Sequence, residues 1–497
     1  MKGTRRQFLR LLAAASLSST GMLARSGKAK DATIIVNDVH SKLNETRMSW
    51  VVKPRSEDDL RLALSSARTE GKSVSIAGGR HAMGGQQFLS DGVLIDTRAM
   101  KRILNLDEGA GVVEVEAGIQ WPELIDQLQA LQIGKPRPWG IIQKQTGADR
   151  LSIGGALGAN VHGRGLTYKP LIDDVEAFTL MDANGQLINC SRHENAELFR
   201  LAIGGYGLFG IITKVKLRLM PRTKLQRLVK IIDIGSLMPE FEKRIAEGFL
   251  YGDCQFSTDT ESKNFLRTGV FSCYRPLPPD AEMPPEQRAL GEADWRKLYY
   301  LSHADRRRAY ELYTSYYLST SGQRYWSDTH QLSVYIDDYH TDLDQLLNAK
   351  ATGTEMITEL YVPRPALSSF LHKAAEDFRK QRVQLIYGTI RLIDKDEESF
   401  LAWAREPWAC TVMNLHVDHT ANGITKAMED FRRLIDLAIA HDGSYFLTYH
   451  RWANRYQVER CFPQMPKFLK LKRRYDPDNV FVSDWYRHYE EMFADRL

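Results

Sequence analysis

A strand-like run, Ser73 to Ile76, opens onto Ala77-Gly-Gly-Arg-His-Ala-Met-Gly-Gly-Gln86, which sets one histidine, His81, among Gly78, Gly79, Gly84 and Gly85. Glycine admits positive φ, so consecutive backbone N–H groups can converge on an anion, with His81 as the one reactive side chain of the turn. The alternative is a surface Ω-loop with an incidental histidine. A second glycine-rich block runs Thr146-Gly-Ala-Asp-Arg-Leu-Ser-Ile-Gly-Gly-Ala-Leu-Gly-Ala-Asn-Val-His-Gly-Arg-Gly165. Gly205-Tyr-Gly-Leu-Phe-Gly210 satisfies the G-x-G-x-x-G pattern, but a dinucleotide loop of that kind follows a strand and opens a helix. Here the run follows a helical pattern and opens a strand, which disfavours nicotinamide binding. His416 and Asp418 fall on one strand face and would suit a metal pair. No third ligand is evident, so pocket lining or core is the preferred reading and no metal is expected.

These segments need elements to hold them. Ser56 before Glu57-Asp-Asp59 reads as an N-cap, with a helix to about Thr69 closed by Gly71. Strands follow at Gly92–Asp96 and Val112–Ala117, and Pro122 starts a helix with Leu124, Ile125, Leu128 and Leu131 on one face. Asp182-Ala-Asn-Gly185 turns a hairpin between Ala177–Met181 and Gln186–Cys190, and Glu197–Ala202 is helical. Ile211–Leu219 alternates as a half-exposed strand, and Met220-Pro-Arg222 ends the unit. Such an order indicates a layered α+β domain. Beyond Lys224 the chain is richer in aromatics: Tyr310, Tyr313, Tyr316 and Tyr317 share a predicted helix, and Tyr325, Trp326 and Tyr335 follow. They serve either helix-to-sheet packing or an aromatic wall over a substrate pocket. Strand-like runs at Glu359–Val362, Leu385–Ile393, Thr411–Val417 and Tyr445–Tyr449 fit a large antiparallel sheet flanked by helices.

At 497 residues the chain has room for two or three domains. A net charge of +5 spread along the sequence gives no reason to expect nucleic acid or an anionic membrane as partner. The dense basic cluster Lys467, Lys470, Lys472, Arg473 and Arg474 alternates with Phe468, Leu469 and Leu471, as the solvated face of an amphipathic helix does. Thr4-Arg-Arg-Gln-Phe-Leu-Arg10 before the apolar stretch Leu11–Leu23 matches a twin-arginine export signal. That stretch is short of the roughly 20 residues a spanning helix needs, so no stable membrane anchor is expected. Export of a folded protein suits one that takes up a cofactor first. The five cysteines form no C-x-x-C pair, which argues against zinc or iron–sulfur centres.

The two glycine blocks, the Gly205–Gly210 turn and the tail Leu469-Lys-Leu-Lys-Arg-Arg-Tyr-Asp-Pro477 occur in an order that resembles the vanillyl-alcohol-oxidase superfamily, the FAD-binding PCMH-type flavoproteins. Sugar or aldonolactone oxidases and cytokinin dehydrogenases are among its members, and the resemblance runs from about Trp50 to about Trp485. It implies FAD, held by Gly78, Gly79, Arg80, His81, Ala82, Gly85 and Gln86 in the first loop and by Gly147, Ile153, Gly154, Gly155, Asn160 and His162 in the second. Gly210 and Ile211 would lie beside the adenosine half. His81 is the position of a covalent histidyl–flavin bond, although Ala82 replaces the commoner serine, and the second loop lacks the cysteine of doubly tethered members. The implied organisation is a signal over 1–30, an FAD-binding domain over 31–222, a substrate domain over 223–455, and a segment over 456–497 that returns to the FAD domain.

The resemblance also implies catalytic positions: His450 in Tyr449-His-Arg-Trp452, Glu359 in Thr358-Glu-Leu-Tyr-Val-Pro363, and Arg391 in Gly388-Thr-Ile-Arg391, where Thr389 replaces an acid. Each has a plain competitor, a satisfied buried histidine for His450 and a structural ion pair for the other two. The expected reaction is hydride transfer from a CH–OH group of a small sugar, polyol or lactone to flavin, with oxygen or a periplasmic acceptor taking the electrons. A branched Val161 before His162 leans towards a dehydrogenase. The alternatives are cytokinin-dehydrogenase-like CH–NH oxidation, with Asp149 as base, and a flavin-carrying electron-transfer protein without its own substrate.

Overall fold

Strands Trp50–Val52, Val93–Asp96 and Val74–Ala77 lie side by side in that order and run parallel, a pairing that requires crossovers. The first crossover is the helix Glu57–Thr69, capped by Ser56, whose Oγ accepts from the Asp59 amide. Its buried face of Leu60, Ala63, Leu64 and Ala67 packs into a core shared with Val74, Val93 and Ile95 on one side and Met181 and Ile211 on the other. A computed structural model describes residues 34–334, 336 and 338–497; the twin-arginine segment and Tyr335 lie outside the described residues.

Met181 and Ile211 belong to a second, antiparallel sheet. Its order is Leu187–Ser191, Val175–Met181, Ile211–Pro221, Val112–Glu116, Ile103–Asp107, with Trp139–Ile141 added to the far end of the long central strand. The hairpin and the alternating strand expected from the sequence are both present. The helix Trp121–Leu131 buries Leu124, Ile125 and Leu128. Leu131 is 55% exposed, because the helix ends there and its last turn has left the sheet.

The third sheet is antiparallel and eight-stranded, built from chain between Lys224 and Tyr445. Its middle strands are Leu385–Ile393, Trp408–Asp418 and Gly353–Pro363. Helices Leu367–Gln381 and Ala421–Ile439 cover one face through Phe370, Phe378, Phe431 and Ile435. Successive strand side chains point to opposite faces, so the alternate set faces away from those helices. Cross-strand register puts Glu355, Ile357, Glu359 and Tyr361 of one strand beside His416, Asn414, Val412 and Cys410 of the next. Tyr387, Thr389 and Arg391 continue that row. The expected strand Tyr445–Tyr449 is reduced to Ser444–Tyr445, because the chain turns away there to meet the first glycine loop.

The last segment returns to the first sheet. Val74 donates to the Val480 carbonyl and accepts from Val482, a parallel bridge to Phe481. Helix Met465–Tyr475 buries Phe468, Leu469 and Leu471 as expected, but Lys472 of its basic cluster is fully buried and paired with Asp476 at 2.7 Å. Asp476 also accepts from the Val480 and Phe481 amides, so this ion pair fixes the tail's final turn. All five cysteines are buried and free. Among the described residues no helix is long and apolar enough to cross a membrane.

Candidate active site

The polar face of the large sheet, the two glycine loops and the Gly205–Gly210 turn enclose one cavity of about 630 Å³. Gly78 and Gly79 are needed where the loops touch: a Cβ on them would fall 1.8 Å from Ser152 Oγ and 2.1 Å from the Arg150 carbonyl oxygen. Other glycines face the space itself. Gly147 has φ +86° with nothing near its missing Cβ, and Gly158 meets only the Tyr206 backbone at 4.0 Å. On the same wall Arg80 Nε and Thr146 Oγ1 are buried without a hydrogen-bond partner. A bare backbone beside an orphaned guanidinium donor and an orphaned hydroxyl suits a buried anion such as a dinucleotide pyrophosphate, so the residues present fit FAD.

Gly78, Gly79, Arg80, His81, Ala82, Gln86, Gly147, Gly154, Gly155, His162 and Gly210 all line this cavity. His81 Nδ1 lies 2.8 Å from His40 Nε2, and burial pushes its pKa well below the usual imidazole range. Gln86 fixes the loop by donating to the Leu447 carbonyl while accepting from the Gly84 amide. Gly85, Ile153, Asn160 and Ile211 are not on the wall. Asn160, at φ +48°, ends the helix Ile153–Ala159, donates to Asp396 and accepts from the Ile172 amide. It joins the second loop to the segment after Ile393. The structure adds Thr97, for which the sequence offered no signal, and Tyr206 and Gly207, which fall inside the Gly205–Gly210 pattern.

Opposite the second loop, Glu359 Oε2 lies 2.9 Å from His162 Nε2 and accepts from the Tyr361 hydroxyl at 2.8 Å, while Oε1 accepts from Tyr449 at 2.7 Å. His162 Nδ1 faces the Gly163 carbonyl oxygen at 3.0 Å, so both ring nitrogens look at acceptors. Burial alone would raise the Glu359 pKa; His162 and Tyr449, helped by Arg391, outweigh it and hold the carboxyl at about 2. Arg391 lines the cavity with its Nε buried and unpartnered, and makes no ion pair with Glu359. Glu359 and Arg391 therefore share one site. His450 is not on the wall: it stacks on Trp452 at 4.1 Å, and burial lowers its pKa to about 4. Its neighbour Tyr449 takes the place beside Glu359, a residue the sequence reading passed over.

Asp149 is buried behind the loop, 2.5 Å from Lys144 Nζ and accepting from the Ser333 amide. Both of its oxygens are thus engaged, and Asp149 itself is not on the cavity wall. Val161 is on the wall. Tyr310, Tyr313, Tyr316, Tyr317 and Tyr325 line the far end, where Arg227 sits among Tyr274, Tyr317 and Tyr325 at 4.6 to 5.2 Å. His416 is half-buried near the edge of the same sheet, beside Glu355 and His303.

A family model described as an FAD binding domain matches residues 48–191, a span containing both glycine loops. The chain is 33% identical to L-gulonolactone oxidase of Bos taurus over 175 residues, 35% of this chain and 38% of that one. It is 24% identical to L-gulono-1,4-lactone dehydrogenase of Mycobacterium tuberculosis over 450 residues, 88% of this chain and 95% of that one. Against cytokinin dehydrogenase 3 of Oryza sativa subsp. japonica it is 34% identical over 180 residues, 34% of this chain and 33% of that one. The two alignments above 30% identity thus span only about a third of each relative's length. FAD is the cofactor of this chain.

Proposed function

We propose that this FAD-dependent oxidoreductase oxidises a CH–OH carbon of a small polyhydroxylated substrate, a sugar, polyol or lactone, and that residues 31–222 hold the flavin while 223–455 form the substrate side. The observation that carries the reading is the Glu359 carboxylate, held between the second glycine loop and the sheet at the wall of the cavity. Bound FAD supplies the acceptor for the hydride. Glu359 orients the substrate hydroxyl and takes its proton on Oε1, the oxygen with a spare lone pair beside the Tyr449 donor. A carboxylate near about 2 is a weak base towards an ordinary alcohol. As hydride leaves the carbon, however, the hydroxyl becomes strongly acidic and such a base suffices. Arg391 meets the oxygen that becomes the carbonyl, while His162 and Tyr361 keep the carboxylate in place. The match to the mycobacterial lactone dehydrogenase along most of the chain supports this substrate class.

The CH–NH reading draws support from the rice relative, but the base it needs, Asp149, is engaged with Lys144. We further propose export by the twin-arginine route to the periplasm, a covalent His81–flavin bond, and a non-oxygen acceptor favoured by Val161. The test is steady-state turnover of lactones, polyols and amines with an artificial acceptor. Glu359→Gln should lower kcat for the CH–OH donor about 10²- to 10⁴-fold with the flavin spectrum unchanged. Undiminished turnover, or amines as the sole donors, would refute the assignment. His81→Ala should release the flavin on acid precipitation.

A further inference from the structure

We propose that His303, Glu355 and His416 form a site for one divalent transition-metal ion, zinc by ligand type, that clamps the helix Glu292–Ala304 to the large sheet beside the cavity. Glu355 and His416 are direct partners on neighbouring strands, so the sheet fixes the separation of their side chains. His303 reaches them from the last turn of the helix, its Nε2 3.0 Å from Glu355 Oε1. The three ligand atoms all lie within 4.8 Å of one another.

Bonds of about 2.0–2.2 Å in a tetrahedron put ligand atoms about 3.3–3.5 Å apart. The His303–Glu355 pair is near that spacing, so any wider separation involves His416. Its side chain is 20% exposed and can shift. His416 Nε2 points at Asp418 Oδ1, 3.3 Å away, while Nδ1 is buried without a partner. Nδ1 is then the nitrogen open to an ion, with Asp418 fixing the ring as outer carboxylates fix metal-bound histidines. Glu355 Oε2 is occupied by His340 Nδ1 at 3.2 Å and by the Tyr339 hydroxyl, which leaves Oε1 towards His303. Two imidazoles and one carboxylate are a zinc ligand set, whereas magnesium and calcium take oxygen donors. The clamped helix carries Leu298 and Tyr299 of the cavity wall and packs on the helix that bears the other tyrosines. The ion would thus act on the shape of the pocket rather than on the reacting atoms.

The experiment uses the full flavin-loaded chain, treated with chelator, returned to zinc sulfate and gel-filtered, with metal counted by mass spectrometry and affinity by titration calorimetry. One zinc per chain and a higher Tm with zinc are expected. His303→Ala and His416→Ala should each weaken zinc binding more than about 100-fold, and His340→Ala about 10- to 100-fold. The visible flavin spectrum reports that each variant is folded; should His303→Ala fail to fold, His416→Gln at the half-exposed ligand carries the same prediction. His372→Ala, which breaks an exposed His372–Glu376 pair on another helix, should bind as wild type. The proposal is overturned if the wild-type chain retains less than stoichiometric zinc at micromolar free metal, or if the His303 and His416 variants bind as tightly as wild type.

Discussion

Glu359 shows how a carboxylate can be buried and still remain charged. Three donors, from His162, Tyr361 and Tyr449, come from three separate stretches of chain. Removing one should change its acidity before it changes the fold. Tyr449→Phe deletes the donor on Oε1, so the carboxyl should titrate above its present value of about 2. Because the reaction uses the ionised form, the acid limb of the kcat/KM profile should move to higher pH; an unmoved limb would mean that Tyr449 does not act on Glu359. His450 makes the opposite point. Its Tyr-His-x-Trp context resembles a catalytic segment, yet its ring lies flat on Trp452 and the tyrosine before it faces the cavity. A one-residue offset is invisible to motif reading, because it depends on where the strand Ser444–Tyr445 stops.

At the scale of elements, the glycine segments and most strands were legible, since turn chemistry and alternation are local signals. Glu355 could have been read in the same way: counting by twos from Glu359 reaches Ile357 and Glu355, and all three face the cavity. His303 could not, because only the packing of a helix from 292–304 onto the sheet brings it to Glu355. Lys472 was misread for a similar reason, as helical periodicity marks it solvated but not that the tail folds over it. Lys472→Met leaves Asp476 buried without its cation, so unfolding should cost about 3–5 kcal/mol less, as chemical denaturation can measure. In the Gly205–Gly210 turn, Gly210 has φ +145°, and a Cβ there would fall 2.6 Å from the Met181 carbonyl oxygen. Gly210→Ala should therefore destabilise by about 1–3 kcal/mol or more and weaken flavin retention, read as Tm and bound FAD.

For the whole molecule, acid should be the weak side. His450 is neutral in the folded chain down to about pH 4, against 6.5 when unfolded, because of its burial. Between those values the unfolded chain binds the extra proton, so stability is full above pH 6.5 and falls as pH drops towards 4. His81 and His330, whose pKa values burial and nearby positive charge also depress, add to the loss in the same direction. Glu359 extends it from 4.5 down to about 2. Asp174, raised by burial to about 7, works against this trend between 3.8 and 7, where the folded chain holds the proton. Denaturation midpoints at pH 7, 5.5 and 4.5 should decline in that order, and His450→Asn should flatten the decline by up to roughly 3 kcal/mol.

The eight-stranded sheet carries the helices Leu367–Gln381 and Ala421–Ile439 on one face and its cavity residues on the other, and the two sets alternate along each strand. Chemistry and stability are therefore written in interleaved positions of the same strands, even-spaced and nearly independent. A chain built this way can exchange Ile357, Val412 or Asn414 for other residues, and so acquire a new donor, without asking the apolar layer beneath to rearrange. The useful mutational library for such a scaffold skips every second residue.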